Sequence, residues 1–178
     1  MFLLKLTASG PFLWARQVGA TTNRNGEIGL VCPTVLGLEP SGGFYVGGNF
    51  SDRLILDSIT LNSGSLYQQA GFLARADAMG SFVWATSLGY DVQNATEDAA
   101  GHLYVLGEFS GTLSLGAVRL STRTSGNYDL YLAKLAPDGT VLWARHSPHP
   151  YSYDPEPLVV DRDNHLYLAS PLNQDTDL

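Results

Sequence analysis

The segment "LYVLGEFSGTLSLGAVRL", residues 103–120, repeats an earlier segment of the same chain, "FYVGGNFSDRLILDSITL" at residues 44–61, at an offset of 59 residues. The match extends without a gap from residues 44–85 onto residues 103–144. Thirteen of these 42 positions are identical, against about one in fifteen expected from average residue usage. The chain therefore contains an internal repeat.

Partial copies flank the two full repeats. Residues 2–15 repeat the second half of the unit, and residues 158–170 repeat its first half. The connections between units vary in length, as variable loops of repeat proteins do when they lie on one face. The repeat predicts a half unit with a long loop at 1–33, a full unit at 34–90, a full unit with a loop at 91–156, and a half unit at 157–178.

Each unit is predicted to form antiparallel strands. Apolar and polar residues alternate with a period of two, and Gly or Asp-Gly joins successive apolar runs as in a hairpin. Four strands, A to D, are placed in a unit, and an extra short hairpin is placed between B and C. In the first full unit, strand A is predicted at 34–39, B at 44–50, C at 72–77, D at 82–87 and the extra hairpin at 53–62, with its equivalent at 112–121 in the second.

A tryptophan recurs at the same place in strand D of each unit, four residues after a glycine. Burial of a tryptophan removes roughly 150–250 Å² from water. We expect each indole to fill the same position between successive units, and each glycine to make the C-to-D turn. The tryptophans are Trp14, Trp84 and Trp143, and the glycines are Gly10, Gly80 and Gly139.

Recurring four-stranded antiparallel units that each carry one large aromatic residue are typical of a β-propeller. The predicted fold class is therefore all-β, a propeller-like array of four-stranded blades. The chain supplies two full blades and two half blades, an incomplete propeller, because propellers typically have about four to eight blades. Such a chain is either a fragment of a longer propeller or a protomer completed by another copy.

Residues 98–146 resemble the SBBP-type β-propeller repeat of bacterial surface and secreted proteins. The resemblance lies in "GEFSGT", in "YDLYLAKLAPDG" and in the Trp-Ala of strand D, and residues 37–88 share it with departures at Asp57 and Arg75. It implies a propeller fold and a secreted or cell-surface location. It implies no activity, because propellers carry many unrelated functions.

Composition excludes several partners and cofactors. A net charge of −7 argues against binding of nucleic acid or an anionic membrane surface. Cys32 is the only cysteine, so the chain forms no internal disulfide and no cysteine-based metal site. No apolar run approaches the length needed to span a membrane, and no phosphate-binding, dinucleotide-binding or zinc-protease motif occurs. We expect no cofactor, no bound metal and no membrane insertion.

The long D-to-A connections are the predicted ligand-binding loops, because the alternative face carries only short turns. Paired tyrosines beside carboxylates suit stacking on a sugar and bonding to its hydroxyls, although covering the edge of the last sheet is the favoured role of these aromatic rings. The candidate binding residues are Arg24, Glu27, Tyr151, Tyr153, Asp154 and Glu156.

Two other groups of residues are candidates for a metal site or for glycosidase catalysis. Histidines and aspartates in "HSPH" at 146–149 and "DRDNH" at 161–165 are residue types of metal sites. A turn is the favoured interpretation of 161–165, because Asp98 and His102 stand at the equivalent places of an A-to-B turn in the preceding unit. A glycosidase needs a pair of carboxylates. Four acidic residues are candidates for such a pair, although solvated surface positions are their favoured interpretation: Asp91, Glu97, Asp98 and Glu108.

Three functions follow as hypotheses. The first is a non-catalytic propeller module with a structural, carbohydrate-binding or protein-binding role on the outside of a bacterium. The second is a propeller glycoside hydrolase or lyase that uses carboxylates on the long D-to-A loops. The third is self-association, in which a dimer supplies six blades and covers the open sheet edges that otherwise promote aggregation.

Overall fold

The protein is all-β in the computed structural model, which describes residues 1–20, 29–64, 68–122, 128–148 and 157–169. No described residue belongs to a helix, and none of that part of the chain therefore forms a helix long enough to cross a membrane. The first strands are β1 (Phe2–Leu6), β2 (Phe12–Gln17), β3 (Gly19–Ala20), β4 (Val31–Leu38), β5 (Phe44–Ser51), β6 (Arg53–Leu56), β7 (Ile59–Asn62), β8 (Gln69–Ala76) and β9 (Phe82–Ser87). They are followed by β10 (Asn94–Glu97), β11 (Leu103–Ser110), β12 (Thr112–Leu115), β13 (Val118–Ser121), β14 (Tyr128–Leu135), β15 (Val141–Pro148), β16 (Leu158–Val160) and β17 (Leu166–Leu168).

Four antiparallel sheets follow one another along the chain. Sheet I is the pair β1-β2, sheet II has the order β4-β5-β8-β9, sheet III has the order β10-β11-β14-β15, and sheet IV is the pair β16-β17. The extra hairpins predicted between strands B and C are present as β6-β7 and β12-β13. The predicted all-β class is thereby confirmed.

Strand β4 begins at Val31, three residues before the predicted start, and contains Pro33. A proline cannot donate a ladder hydrogen bond, so it is tolerated only at a sheet edge or a bulge. Both conditions hold, because β4 is the outermost strand of sheet II and its register shifts between Pro33 and Val35.

Successive sheets pack face to face through separate hydrophobic clusters. The central strands are buried on both faces, so neighbouring residues of one strand enter different clusters: Phe44 and Val46 of β5 pack toward sheet I, whereas Tyr45 packs toward sheet III. A third cluster joins Tyr104 and Leu106 of sheet III to Leu158 of sheet IV. The first strands of three sheets also meet, since β10 contacts both β4 and β16.

The three tryptophans occupy equivalent places in this stack. Each lies opposite a basic residue of the preceding strand, in the pairs Trp14 with Lys5, Trp84 with Arg75, and Trp143 with Lys134. In each case the register shifts immediately after the basic residue.

Each of the first two indoles lies against the C-to-D turn of the following sheet. A Cβ atom on Gly80 would lie 3.2 Å from Cζ2 of Trp14, and one on Gly139 would lie 3.0 Å from Cδ2 of Trp84. Trp84 also donates from Nε1 to the carbonyl oxygen of Pro137 at 2.9 Å. Trp143 packs on the cluster between sheets III and IV. The glycine of one turn thus admits the tryptophan of the preceding sheet.

Gly139→Ala is expected to destabilise the protein more than Gly116→Ala. Both glycines have left-handed backbone angles, with φ of 87° and 59°, so alanine at either site costs about 1–2 kcal/mol of strain. Only at Gly139 does the new methyl group also meet an indole, because nothing lies within 4 Å of a Cβ on Gly116. That overpacking adds about 1 kcal/mol or more. Urea unfolding followed by circular dichroism measures the difference, and equal losses would contradict this packing.

Candidate functional site

The predicted binding residues Arg24, Glu27, Tyr151, Tyr153, Asp154 and Glu156 all lie outside the described residues, as does His149. The six recurring tryptophan and glycine positions are described and form the contacts between sheets and the C-to-D turns given above. A different set of residues lines a recess on the face that carries the D-to-A and B-to-C connections.

A cleft of about 390 Å³ opens between sheets II and III at that face. Its walls come from the start of β8, from the connection after β9, and from the junction of β11 with β12. Amide, hydroxyl and phenol groups alternate there with apolar surface, which suits a ligand that presents both hydrogen-bonding groups and apolar groups. The lining residues are Gln68, Gln69, Gly89, Tyr90, Phe109, Ser110, Thr112 and Leu113.

The repeat shows why the cleft is open. At the equivalent place between sheets I and II, the short strand β3 pairs with β6 in the register Gly19 with Ile55 and Ala20 with Leu54, so that β3, β6 and β7 form a three-stranded sheet. Gly89 and Tyr90 are the equivalents of Gly19 and Ala20 at an offset of 70 residues. Within the described part of the chain, β12 pairs with β13 alone. The cleft therefore borders an edge of β12 that its counterpart β6 uses to bind a strand.

Tyr90 is held in place beside this edge. Its backbone N–H donates to the carbonyl oxygen of Glu108 at 2.6 Å. Its ring meets the ring of Tyr128 edge-on, with centroids 4.8 Å apart. The contact with Tyr128 therefore orders the Tyr90 ring, which lines the cleft, and an ordered ring is a favourable surface for contact with ligands because few rotatable bonds must be ordered on binding.

An acid–histidine pair lies next to one of the residues that line the cleft. His146 Nδ1 is 2.8 Å from Oδ2 of Asp129, and the two side chains are 26% and 5% exposed. The imidazole also packs edge-on against Phe109, which lines the cleft, at a ring-centroid distance of 5.7 Å. The pair therefore contacts the cleft wall through Phe109.

The acidic residues considered for glycosidase chemistry have other partners. Asp91 Oδ1 accepts the backbone N–H of Glu108 at 2.9 Å, and burial raises the pKa of Asp91 despite that hydrogen bond. Glu97 pairs with Arg75 of the neighbouring sheet at 3.3 Å. Burial, aided by the carboxylate of Glu39, raises the pKa of Glu97. None of the four acids lines the cleft.

Asp98 organises a polar network at the opposite, A-to-B end of sheet III. Its Oδ1 accepts the backbone N–H groups of Ala100 and His102 at 3.0 and 2.9 Å. Its Oδ2 lies 3.2 Å from Nζ of Lys134 and 3.3 Å from the hydroxyl of Tyr104. Burial raises the pKa of the Asp98 carboxyl, but these hydrogen bonds outweigh burial, and the net pKa is below its usual value.

Asp98→Asn is expected to cost about 1 kcal/mol at pH 7, through the lost charge pairing with Lys134. Because the folded-state pKa of Asp98 lies below the unfolded value of about 3.9, its contribution is present above that pH and is lost as pH falls through the folded pKa. The difference in unfolding free energy between wild type and variant should therefore shrink below about pH 4. Urea titrations at pH 7 and pH 3 test this; a difference independent of pH would contradict it. Asp163→Asn, an exposed control, should change stability by less than about 0.5 kcal/mol.

Asp161, Asp163 and His165 bring three potential ligand atoms within 4.8 Å of one another. The geometry is that of a turn: Oδ1 of Asp161 accepts the backbone N–H groups of Asp163 and His165, each at 2.9 Å. Asp98 makes the same two bonds in a turn where alanine replaces the second aspartate. Residues 161–165 therefore form a turn of the same kind as residues 98–102.

No protein-family model matches the chain, and a search of curated proteins finds no similar sequence. The site must therefore be interpreted from its own geometry. The cleft lies on the face where the sequence places the binding loops, but none of its lining residues was among the predicted binding residues. Tyr90 gave the one available signal, because it replaces the alanine found at the equivalent position of the first unit.

Proposed function

We propose that the chain is a segment of a β-propeller that acts as a non-catalytic binding module on a secreted or cell-surface bacterial protein. Sheets II and III are full blades in this proposal, and sheets I and IV are half blades. The face-to-face stacking through equivalent tryptophans supports it, as does the succession of contacts β4 to β10 to β16, which suits inner strands around one axis. The resemblance to the SBBP-type repeat supports the same fold and location.

The ligand proposed for the cleft is an extended segment of a partner protein that adds a strand to β12. The observation that carries this choice is the pairing of β3 with β6 at the equivalent place between sheets I and II. Main-chain hydrogen bonds supply affinity in strand addition, and side-chain pockets supply specificity. Here Tyr90 and Phe109 supply apolar contact, and Thr112 stands at the mouth of the site.

The chain itself provides a well-tolerated substitution that removes the aromatic contact. Tyr90 lines the cleft, and Ala20 stands at the equivalent position of the first unit. Tyr90→Ala therefore introduces a residue that the repeat already accepts and removes a ring that the ligand would contact. The control is Val83→Ala, a truncation at a residue of β9 that is 63% exposed and does not line the cleft.

Binding is tested with extended peptides selected from a displayed random library against the wild-type protein. We expect selected peptides to bind wild type and Val83→Ala equally, and Tyr90→Ala at least about tenfold more weakly, a loss of about 1.4 kcal/mol. Failure to select any binder, or binding indifferent to Tyr90→Ala, would contradict the proposal. An oligosaccharide panel with a hydrolysis assay runs in parallel, and turnover there would favour the hydrolase hypothesis instead.

A further inference from the structure

Two sheet edges at opposite ends of the described stack are complementary. In sheet III, the second strand β11 pairs with the third strand β14. Sheet I contains the equivalents of the third and fourth strands, and sheet IV contains those of the first and second. Among the described residues, β1 pairs only with β2, and β17 pairs only with β16. The backbone N–H and C=O groups of β17 and β1 can therefore pair with one another, as those of β11 and β14 do.

The side chains at these edges are two halves of one polar network. In sheet III, Lys134 Nζ lies 2.7 Å from the Tyr104 hydroxyl and 3.2 Å from Asp98. Sheet II keeps the cation–acid pair, with Arg75 Nε 2.5 Å from Glu39, whereas its equivalent tyrosine, Tyr45, donates to the carbonyl oxygen of Ala95. Every full sheet thus pairs a cation of its third strand with an acid of its own A-to-B turn.

Sheet IV has the acid and the tyrosine of this network, and sheet I has the cation. Asp161 bonds to Tyr167 at 3.0 Å and to His165 at 3.2 Å, as Asp98 bonds to Tyr104 and His102. Lys5 is the equivalent of Lys134, and in the described structure its ammonium donates only to the carbonyl oxygen of Ala78. An ammonium has three donors, so Lys5 retains capacity for a carboxylate and a phenol.

Exposure distinguishes the two copies of the network. Tyr104 is 4% exposed in sheet III, whereas Tyr167 is 57% exposed in sheet IV. At the other end of the stack, Phe2 is 72% exposed and Leu38 is 81% exposed, on either side of an apolar groove of about 220 Å³. A contiguous apolar surface of this kind marks an interaction site.

We infer that β17 of one copy of the chain pairs antiparallel with β1 of a second copy, completing a four-stranded sheet between them. Transfer of the β11–β14 register gives the pairs Leu166 with Leu6, Tyr167 with Lys5, and Leu168 with Leu4. Lys5 of the second copy then lies beside Asp161 and Tyr167 of the first. Strand β16 of the first copy then enters the apolar groove of the second copy. There it lies against β4 of the second copy, as β10 lies against β4 within one chain.

Two copies of sheets I to IV joined by two such junctions contain six four-stranded sheets, within the range of about four to eight blades for propellers, whereas three copies would give nine. The number of copies rests on the propeller arrangement proposed above. The register of the junction does not, because it follows from the pairing within sheet III.

The junction is tested by disulfide trapping in a Cys32→Ser background. Two differently tagged chains, one carrying Leu4→Cys and the other Leu168→Cys, are mixed and oxidised, and a second mixture uses Lys5→Cys with Tyr167→Cys. Successive pairs of opposite residues in an antiparallel ladder alternate between a longer and a shorter Cα–Cα distance. Both distances allow a disulfide between cysteines at those positions. We expect a covalent product containing one chain of each kind. Leu4→Cys with Leu166→Cys is the control, because a two-residue offset separates the sulfur-bearing positions by roughly 7–8 Å.

Light scattering provides the second measurement. Wild type should have twice the monomer mass, and Lys5→Glu should raise the dissociation constant at least about tenfold, because it places like charges together. Arg119→Glu, the same charge change on an exposed residue of β13, should leave it unchanged. A monomeric wild type, or an internal disulfide when Leu4→Cys and Leu168→Cys share one chain, would overturn the inference. Peptide binding to the cleft by such a monomer would still support the proposed function.

Discussion

Trp84→Ala is expected to lower the free energy of unfolding by about 3 kcal/mol, within the usual range for deletion of a large aromatic from a core. The indole packs against the hydrophobic cluster between sheets II and III, covers Gly139, and donates a hydrogen bond to the carbonyl oxygen of Pro137. Its removal leaves a void between two sheets that both hold their positions through other contacts. Urea unfolding followed by far-ultraviolet circular dichroism measures the loss without relying on tryptophan fluorescence.

Two variants of the same strand serve as controls for Trp84→Ala. Val83→Ala, at a position 63% exposed, should change stability by less than about 0.5 kcal/mol. Trp84→Phe keeps an aromatic ring but removes the hydrogen bond to Pro137, so it should fall between wild type and Trp84→Ala. A loss below about 1 kcal/mol for Trp84→Ala would mean that the indole does not join the two sheets.

Arg75→Met is expected to cost about 3 kcal/mol at pH 7, since removal of one partner of a buried ion pair leaves an uncompensated charge. The guanidinium lies 2.5 Å from Glu39 and 3.3 Å from Glu97, whose side chains are 5% and 8% exposed. It also donates to the carbonyl oxygen of Pro137 at 2.7 Å. Arg75 thereby ties sheet II to sheet III from the A-to-B end.

The Arg75→Met defect should be relieved in two ways. Addition of Glu39→Gln removes a buried charge and should restore part of the lost stability. Lower pH should also help, because the pKa of Glu97 is already raised by burial and by Glu39, and Arg75 opposes that rise. Without Arg75 the folded-state pKa rises further, so the penalty of Arg75→Met is largest above it and shrinks as Glu97 is protonated. A defect unchanged by pH and by Glu39→Gln would show that the charges are not coupled.

The strands and turns could be predicted because the same pattern of apolar and turn residues occurs in more than one unit. Positions of left-handed backbone, for example, recur at the 59-residue offset: Asp57 has φ of 55° and its equivalent Gly116 has φ of 59°. Aspartate and asparagine are among the residues that tolerate this conformation. Asp57, a departure from the SBBP-type pattern, keeps the turn and adds an ion pair with Arg16 of sheet I at 2.8 Å.

The cleft could not be predicted, because it depends on a pairing that the first unit makes and that the next unit, among the described residues, does not. Gly19 and Ala20 have no strand pattern, yet they pair with β6, more than thirty residues later in the chain. Their equivalents Gly89 and Tyr90 make no such pair with β12 in the described structure. Local sequence patterns report alternation and turns, whereas this difference arises from long-range contact.

Nuclear magnetic resonance of the folded chain tests the stacking of sheets most directly. We expect nuclear Overhauser contacts from the indole protons of Trp84 to the Hα protons of Gly139, and from those of Trp14 to Gly80, with the glycine resonances displaced by the ring currents. Contacts of each indole confined to its own sheet, with undisplaced glycine resonances, would contradict the account.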